Sequence, residues 1–161
     1  MNSSTIMRIE QLFPPLKVKA YQLIQQLSLQ GIDVEVSQGL RTWPEQEALY
    51  AQGRTSPGPI VTNASPEKSW HTFACAFDFD IVTTDGGLDW TGNSPAWNSV
   101  ISAGESLGLY SGAEFRTFPD KPHFQLTGRF PVTPDDEVLI LFRGGGLAAV
   151  WAEITKSLPS P

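Results

Sequence analysis

The sequence predicts a single α+β domain over residues 1–161, and three observations carry that reading. Apolar residues recur at helical spacing within 16–30 and again within 94–108, whereas 32–37 and 74–81 alternate every second residue, the period of a half-buried strand. The chain is 161 residues long and shows no repeat or linker-like boundary, a length that suits one compact domain and is too short for two comfortable ones. Apolar residues make up 40% and charged residues 17%, with nine Phe and five Trp, so a sizeable core is available and general disorder is excluded.

Taken in order, Leu16, Ala20, Leu23, Ile24 and Leu27 form the stripe of an amphipathic helix that stops at Gly31. Ile32, Val34 and Val36 alternate with Asp33, Glu35 and Ser37, which predicts a strand ending at Gln38-Gly39-Leu40-Arg41. Thr42-Trp43-Pro44-Glu45 fits a capping box with Pro in the first turn, opening a short helix that runs to Gln52 before Gly53. Residues 54–66 are rich in Gly, Pro, Ser, Thr and Asn and predict a long loop, the kind of segment that often carries function. In 74–81, Cys75, Phe77, Phe79 and Ile81 point to one face while Ala74, Ala76, Asp78 and Asp80 point to the other. The single cysteine is therefore expected to be a buried, inert thiol.

Ser94-Pro95 opens another helix, with Trp97, Val100, Ile101, Gly104 and Leu107 on its core face and Gly108 as its stop. His123–Leu126 predicts a short strand. The C-terminal part, 133–157, reads as two helices, one opening at Thr133-Pro134 and running to about Phe142, the other from Leu147 to Lys156. Gly144-Gly145-Gly146 is the hinge between them and lacks the Lys-Ser/Thr that a phosphate-binding loop requires.

Eleven basic against seventeen acidic residues give a net charge of −6, with no Lys/Arg run. This excludes nucleic acid or an anionic membrane as a surface-wide partner. One cysteine cannot form an internal disulfide. No apolar run approaches a membrane span, so no membrane insertion is expected. Met1–Glu10 carries one Arg but no apolar core and no small-residue cleavage site, which predicts a chain that is cytoplasmic on synthesis. A monomer is expected.

The chemistry centres on the only two histidines, His71 and His123, each lying near carboxylates. Imidazole and carboxylate are ligands of a catalytic zinc, which takes three protein groups and keeps a position open for water. His71, Asp78 and His123 make such a set, although Asp80 shares the same strand face as Asp78. Asp120 stands three residues before His123, and Pro122 between them favours an extended turn that lets Asp120 approach the metal water without ligating it. Ser69 lacks a third histidine to activate it as a nucleophile and is expected instead to orient the loop around His71. A magnesium or calcium site built from Asp78, Asp80 and Asp85 would leave both histidines idle.

The segment Ser69-Trp70-His71-Thr72-Phe73-Ala74-Cys75-Ala76-Phe77-Asp78 resembles the S-x-H-x-x-G-x-A-x-D signature of the VanY-like and D-alanyl-D-alanine carboxypeptidase-like zinc peptidases. Asp120-Lys121-Pro122-His123-Phe124 is similar to their second signature. The upstream run Gly39-Leu40-Arg41-Thr42, with Glu45-Gln46 and Leu49–Thr55, is most like the L-alanyl-D-glutamate peptidase branch, which includes phage endolysins. The matches run from about Val34 to Gln125, within a motif-bearing core of about 16–127.

The resemblance implies a small antiparallel sheet carrying a zinc site and flanked by helices, the hedgehog/D,D-peptidase-like fold. It implies that His71, Asp78 and His123 bind Zn2+, that Asp120 is the general base, and that Arg41 steadies the oxyanion. It implies a peptidoglycan stem peptide as substrate, cut at the L-alanyl-D-glutamate bond by an enzyme acting on the wall after release. The alternatives are a D-alanyl-D-alanine carboxypeptidase and a non-catalytic module that binds wall peptide. One departure stands out. Ala74 replaces the signature glycine, and its methyl group is expected to confine the backbone to the commoner angles at a modest loss of function.

Overall fold

The computed structural model of the chain describes residues 1–89 and 91–159. They group into two compact units, each assembled from two segments, Met1–Gly39 with Ala76–Leu126 and Leu40–Cys75 with Thr127–Pro161.

The first unit holds the sheet. Helix α1 (Ser3–Glu10) begins where the Asn2 side chain accepts from Thr5 N at 2.8 Å. Little in the sequence marks this helix, because only Thr5 and Ile9 are buried along it and so no apolar stripe is visible. Helix α2 (Pro14–Ser28) places proline in its first turn and buries Leu16, Ala20, Leu23 and Leu27, the stripe its spacing predicts. The strands are β1 (Val34–Gln38), β2 (Ala76–Val82), β3 (Leu88–Asp89), β4 (Tyr110–Ser111) and β5 (His123–Gln125), with helix α4 (Ala96–Ser106) between β3 and β4.

The sheet runs β1-β2-β5-β4, β3 also pairs with β2, and every one of these pairings is antiparallel. The expected α+β class with a small antiparallel sheet is the observed one. Strand β2 begins at Ala76, two residues later than its alternation suggests, because Ala74 takes a backbone conformation that no strand can hold. From Ala76 onward the expected faces are kept. Phe77, Phe79 and Ile81 are buried, while Asp78 and Asp80 on the other face are only partly covered.

Aromatic rings fill the apolar side. Phe77 and Phe124 are cross-strand partners whose ring centroids lie 5.8 Å apart. Phe79 stacks on Phe124 at 5.2 Å and leans on Trp97 of α4 at 5.2 Å. All four are essentially fully buried. Burying each side chain is worth about 1.5–3 kcal/mol, so this cluster ties β5 to the centre of the unit. Gly104 on α4 permits the approach, since a Cβ there would lie 2.3 Å from Cζ of Phe124.

The second unit carries helix α3 (Trp43–Ala51), whose expected capping box is present. The Thr42 hydroxyl accepts from Glu45 N, and the Glu45 carboxylate accepts from Thr42 N at 2.7 Å. The loop after α3 is organised by Arg54, which donates to Tyr50 O at 2.7 Å, Thr62 O at 3.0 Å and Asn63 Oδ1 at 2.9 Å. Helix α5 (Asp136–Ser157) starts at an Asp135 cap, two residues beyond the expected cap at Thr133. It forms one run interrupted by non-helical backbone at Gly145 and Gly146, where the sequence places its hinge.

By length and composition α5 is apolar enough to cross a membrane, with a mean hydropathy of 1.5. This corrects the expectation that no apolar run approaches a span. Split at the triple glycine into two helices, the same segment is too short on either side to cross a membrane. Val138, Leu139, Val150 and Ile154 of the helix are nevertheless buried.

Gly104→Ala tests the packing directly. Its methyl group would overlap the Phe124 ring, so the substitution is expected to cost about 1–3 kcal/mol in urea unfolding, against the small gain that alanine brings to an exposed helix position.

Candidate metal centre

Asp78 and His123 reach each other through the sheet. They are directly opposed in the β2–β5 register, and Asp78 Oδ1 lies 3.1 Å from His123 Nδ1. Asp80 instead opposes Glu35 on β1. Its carboxyl is pushed above the usual range, mainly by burial and further by Glu35 and Asp78, with Ser37 and Arg8 opposing. The register thus separates two aspartates that share one face. Asp85 does not join them, because it accepts from the Thr83 hydroxyl and from Gly87 N at 3.2 Å in the β2–β3 turn.

The far side of the His123 ring is held as firmly. Nε2 lies 3.0 Å from Gln125 Oε1, and the Phe115 ring sits 5.3 Å away. Burial works against a charged ring, yet the hydrogen bond and charge of Asp78, the charge of Asp120 and the Gln125 contact hold the His123 pKa above its ordinary value. Asp120 is placed through its backbone. Its N–H donates to Gly112 O at 2.8 Å, and its carbonyl accepts from His123 N at 3.1 Å. This works only over glycine, since a Cβ on Gly112 would lie 2.3 Å from Asp120 O and 2.7 Å from His123 Cβ. Sequence reasoning missed Gly112 because the close approach joins residues eight positions apart.

His71 sits in a short 3-10 turn, Trp70–Phe73, where it is buried. The turn opens at Ser69, whose carbonyl, rather than its hydroxyl, does the holding. It accepts from Thr72 N at 3.2 Å and from the Thr72 hydroxyl at 2.7 Å. Pro131 O accepts from Trp70 Nε1 at 3.2 Å, and Phe73 O accepts from Trp151 Nε1 at 2.8 Å. The His71 carbonyl accepts from Arg41 N and Ala74 N, both at 3.1 Å. Arg41 is itself buried, and its Nη1 donates to Gln46 Oε1 at 2.6 Å, while Gln46 Nε2 donates to Ala64 O at 2.8 Å. Gln46 is thus a second residue whose support role the sequence motif did not disclose. Cys75 is fully buried, and burial pushes its thiol far up, which matches the inert role expected of it.

Ala74 ends the turn with φ 58° and ψ 22°, the only non-glycine residue at positive φ among those described. The expectation that its methyl would keep the backbone to commoner angles is therefore corrected. Hydrogen bonds from Ala74 N to His71 O and from Cys75 N to Trp70 O, at 3.1 and 3.0 Å, hold the chain in the left-handed conformation despite the Cβ.

Among the described residues, the ligand atoms of His71, Asp78 and His123 all lie within 4.8 Å of one another. Asp120 is not one of that group. The donor set suits a metal ion. Gln125 Oε1 can only accept, so Nε2 of His123 is the donor there, and the neutral ring then turns an unprotonated Nδ1 toward the Asp78 carboxylate. Two acceptors 3.1 Å apart call for a positive species beside them, either a proton or a cation.

An antiparallel sheet that presents one imidazole and a carboxylate, with a second imidazole supplied by a short turn, defines the class, an α+β protein with a donor set that could hold a metal ion. A family model described as D-alanyl-D-alanine carboxypeptidase, one of the M15 peptidases, matches residues 62–126. A peptidoglycan L-alanyl-D-glutamate endopeptidase of Bacillus subtilis (strain 168), CwlK, is 35% identical over 122 residues, spanning 71% of this chain and 73% of that one. The crystal structure of the Serratia marcescens L-Ala D-Glu endopeptidase ChiX shares the fold, with a TM-score of 0.59 and 24% identity over 80% of this chain and 90% of that one. The chain belongs to the M15 peptidase family.

Two measurements follow. Left-handed backbone costs an L-residue about 1–2 kcal/mol, and glycine gives back part of that through its freer unfolded chain. Ala74→Gly is therefore expected to stabilise the protein by up to about 1 kcal/mol in urea unfolding, and an equal or lower stability would mean that the methyl contributes more by packing than it costs in strain. For His123 the folded pKa lies above the unfolded one, so its contribution to metal-free stability is complete below the unfolded pKa and is lost as pH rises through the folded pKa. The stability difference between metal-free wild type and His123→Asn should shrink across that interval, while metal affinity grows as the competing proton leaves. A difference that does not change with pH would remove the Asp78–His123 ion pair from the account.

Proposed function

We propose that this protein is a zinc-dependent peptidoglycan endopeptidase that cleaves the L-alanyl-D-glutamate bond of the stem peptide. The observation that carries the metal chemistry is the convergence of His71, Asp78 and His123. The choice of bond is supported by the 35% identity to an L-alanyl-D-glutamate endopeptidase across most of both chains.

Zinc held by His71, Asp78 and His123 would polarise the scissile carbonyl and lower the pKa of a bound water toward roughly 7. Asp120 serves as the general base, taking a proton from the attacking water on a carboxylate oxygen and passing it to the leaving amine. A fixed backbone suits that role, since both its N–H and its carbonyl are committed to hydrogen bonds. Arg41 offers a permanent positive charge to the developing oxyanion. Its burial and its bond to Gln46 pre-organise the guanidinium, which is the condition under which such groups lower a barrier most. The ordered loop at 54–66 borders this machinery in sequence and is proposed to help bind the stem peptide.

The reading is tested with purified peptidoglycan. Wild-type protein should bind a single zinc and release fragments with a new D-glutamate amino terminus, leaving L-alanine on the muramic acid side, as read by amine labelling and mass. Free D-alanine as the only product would establish the carboxypeptidase alternative instead, and binding without any product would establish the non-catalytic module. Asp120→Asn should keep zinc and fold but lose about 10²- to 10⁴-fold in turnover, whereas His71→Ala should lose the metal.

A further inference from the structure

We infer that Gln125 is a positioning residue that decides which nitrogen of His123 faces the metal, by accepting from Nε2–H and so leaving the Nδ1 lone pair for the cation. The inference rests on the metal reading above and deepens it. His123 and Gln125 are two residues apart on β5, so their side chains leave the strand on one face. That face is shared by Asp78, which stands opposite His123 on β2. The imidazole is therefore gripped at both nitrogens, by Gln125 Oε1 at 3.0 Å from Nε2 and by Asp78 Oδ1 at 3.1 Å from Nδ1.

These two contacts differ in kind. An amide oxygen carries no hydrogen, so Nε2 must donate to it. The carboxylate of Asp78 accepts equally well from a proton on Nδ1 or shares a cation with the Nδ1 lone pair. Gln125 thus settles the tautomer while Asp78 leaves the other nitrogen available. An amide turned the other way would donate to Nε2, move the ring proton to Nδ1 and close the nitrogen that lies beside Asp78. Gln125 is 2% exposed, a burial an amide tolerates when its polar atoms are satisfied. A neutral acceptor also orients the ring without adding a further carboxylate beside Asp78 and Asp120. Losing a partner that orients a metal-binding histidine in this way typically costs about 10- to 100-fold in affinity for the ion.

The test uses the full chain and zinc alone as the probe, with wild type, Gln125→Met and Gln125→Glu. Zinc affinity is read by competition with a chromophoric chelator, and the ligating nitrogen by NMR of zinc-loaded protein labelled with ¹⁵N-histidine. Wild type should show Nδ1 of His123 shifted by zinc and a protected proton on Nε2. Gln125→Met keeps the shape without the acceptor and should weaken zinc binding roughly 10- to 100-fold. Gln125→Glu retains the acceptor and should retain affinity and Nδ1 ligation. Unchanged zinc affinity in Gln125→Met, or zinc on Nε2 of His123 in wild type, overturns the inference. The wild-type spectrum decides alone if the methionine variant fails to fold. A wild-type chain that takes up no zinc at all is a different outcome, and it overturns the zinc reading and this inference together.

Discussion

The antiparallel pairing of β2 with β5 is the constraint on which the rest of the site depends. In this register Phe77 faces Phe124 on one side of the sheet while Asp78 faces His123 on the other. The same two strands therefore anchor the core and hold two of the three candidate metal ligands, with no loop intervening. A slip of one residue would turn the carboxylates into the aromatic cluster and the rings toward solvent. Burial of Phe77, Phe79 and Phe124 thus protects the geometry of Asp78 and His123, and packing energy on one face is what fixes chemistry on the other.

Two glycines let other elements come close enough to sustain this arrangement. Gly104 allows α4 to rest on the Phe124 ring, and Gly112 allows the Asp120 backbone to lie against His123. In each case the missing Cβ is what permits the contact, so neither position tolerates a side chain without moving β5 or the segment that leads into it. The charge of Asp120 is consequently felt by a histidine whose ring is already fixed by Asp78 and Gln125.

His71 is positioned by a different device. It lies in a turn of only four residues that is closed by a left-handed alanine. Hydrogen bonds from Thr72, Ala74, Cys75 and Arg41 to the turn's own carbonyls replace the regular ladder that a longer helix would provide. The strain at Ala74 is local and is offset by these bonds and by the aromatic packing of Trp70 and Phe73, whose ring centroids lie 5.8 Å apart. A signature position expected to be glycine is thus filled by the smallest residue that has a Cβ, and the turn is kept.

The sequence by itself determined the fold class, the faces of β2, the capping box of α3 and the glycine break in α5, and it singled out His71 and His123 as candidate metal ligands. Each rests on local information: a period of two or 3.6 residues, a cap signature, or the scarcity of histidine in the chain. It could not choose Asp78 over Asp80 from alternation, since both lie on one face, and only the resemblance to a family made that choice. The tertiary structure sets Asp78, and not Asp80, opposite His123, through a strand register that relates segments 45 residues apart. The same holds for Gly112 under Asp120, Gln46 behind Arg41 and Gln125 behind His123. Their roles are set by distances across the fold that no spacing along the chain encodes. Helix α1 also stayed hidden, because it buries too little to leave a pattern. Ala74 shows the limit from the other side: the sequence announced the substitution, but only the surrounding hydrogen bonds decided that an alanine would be held where glycine is at ease.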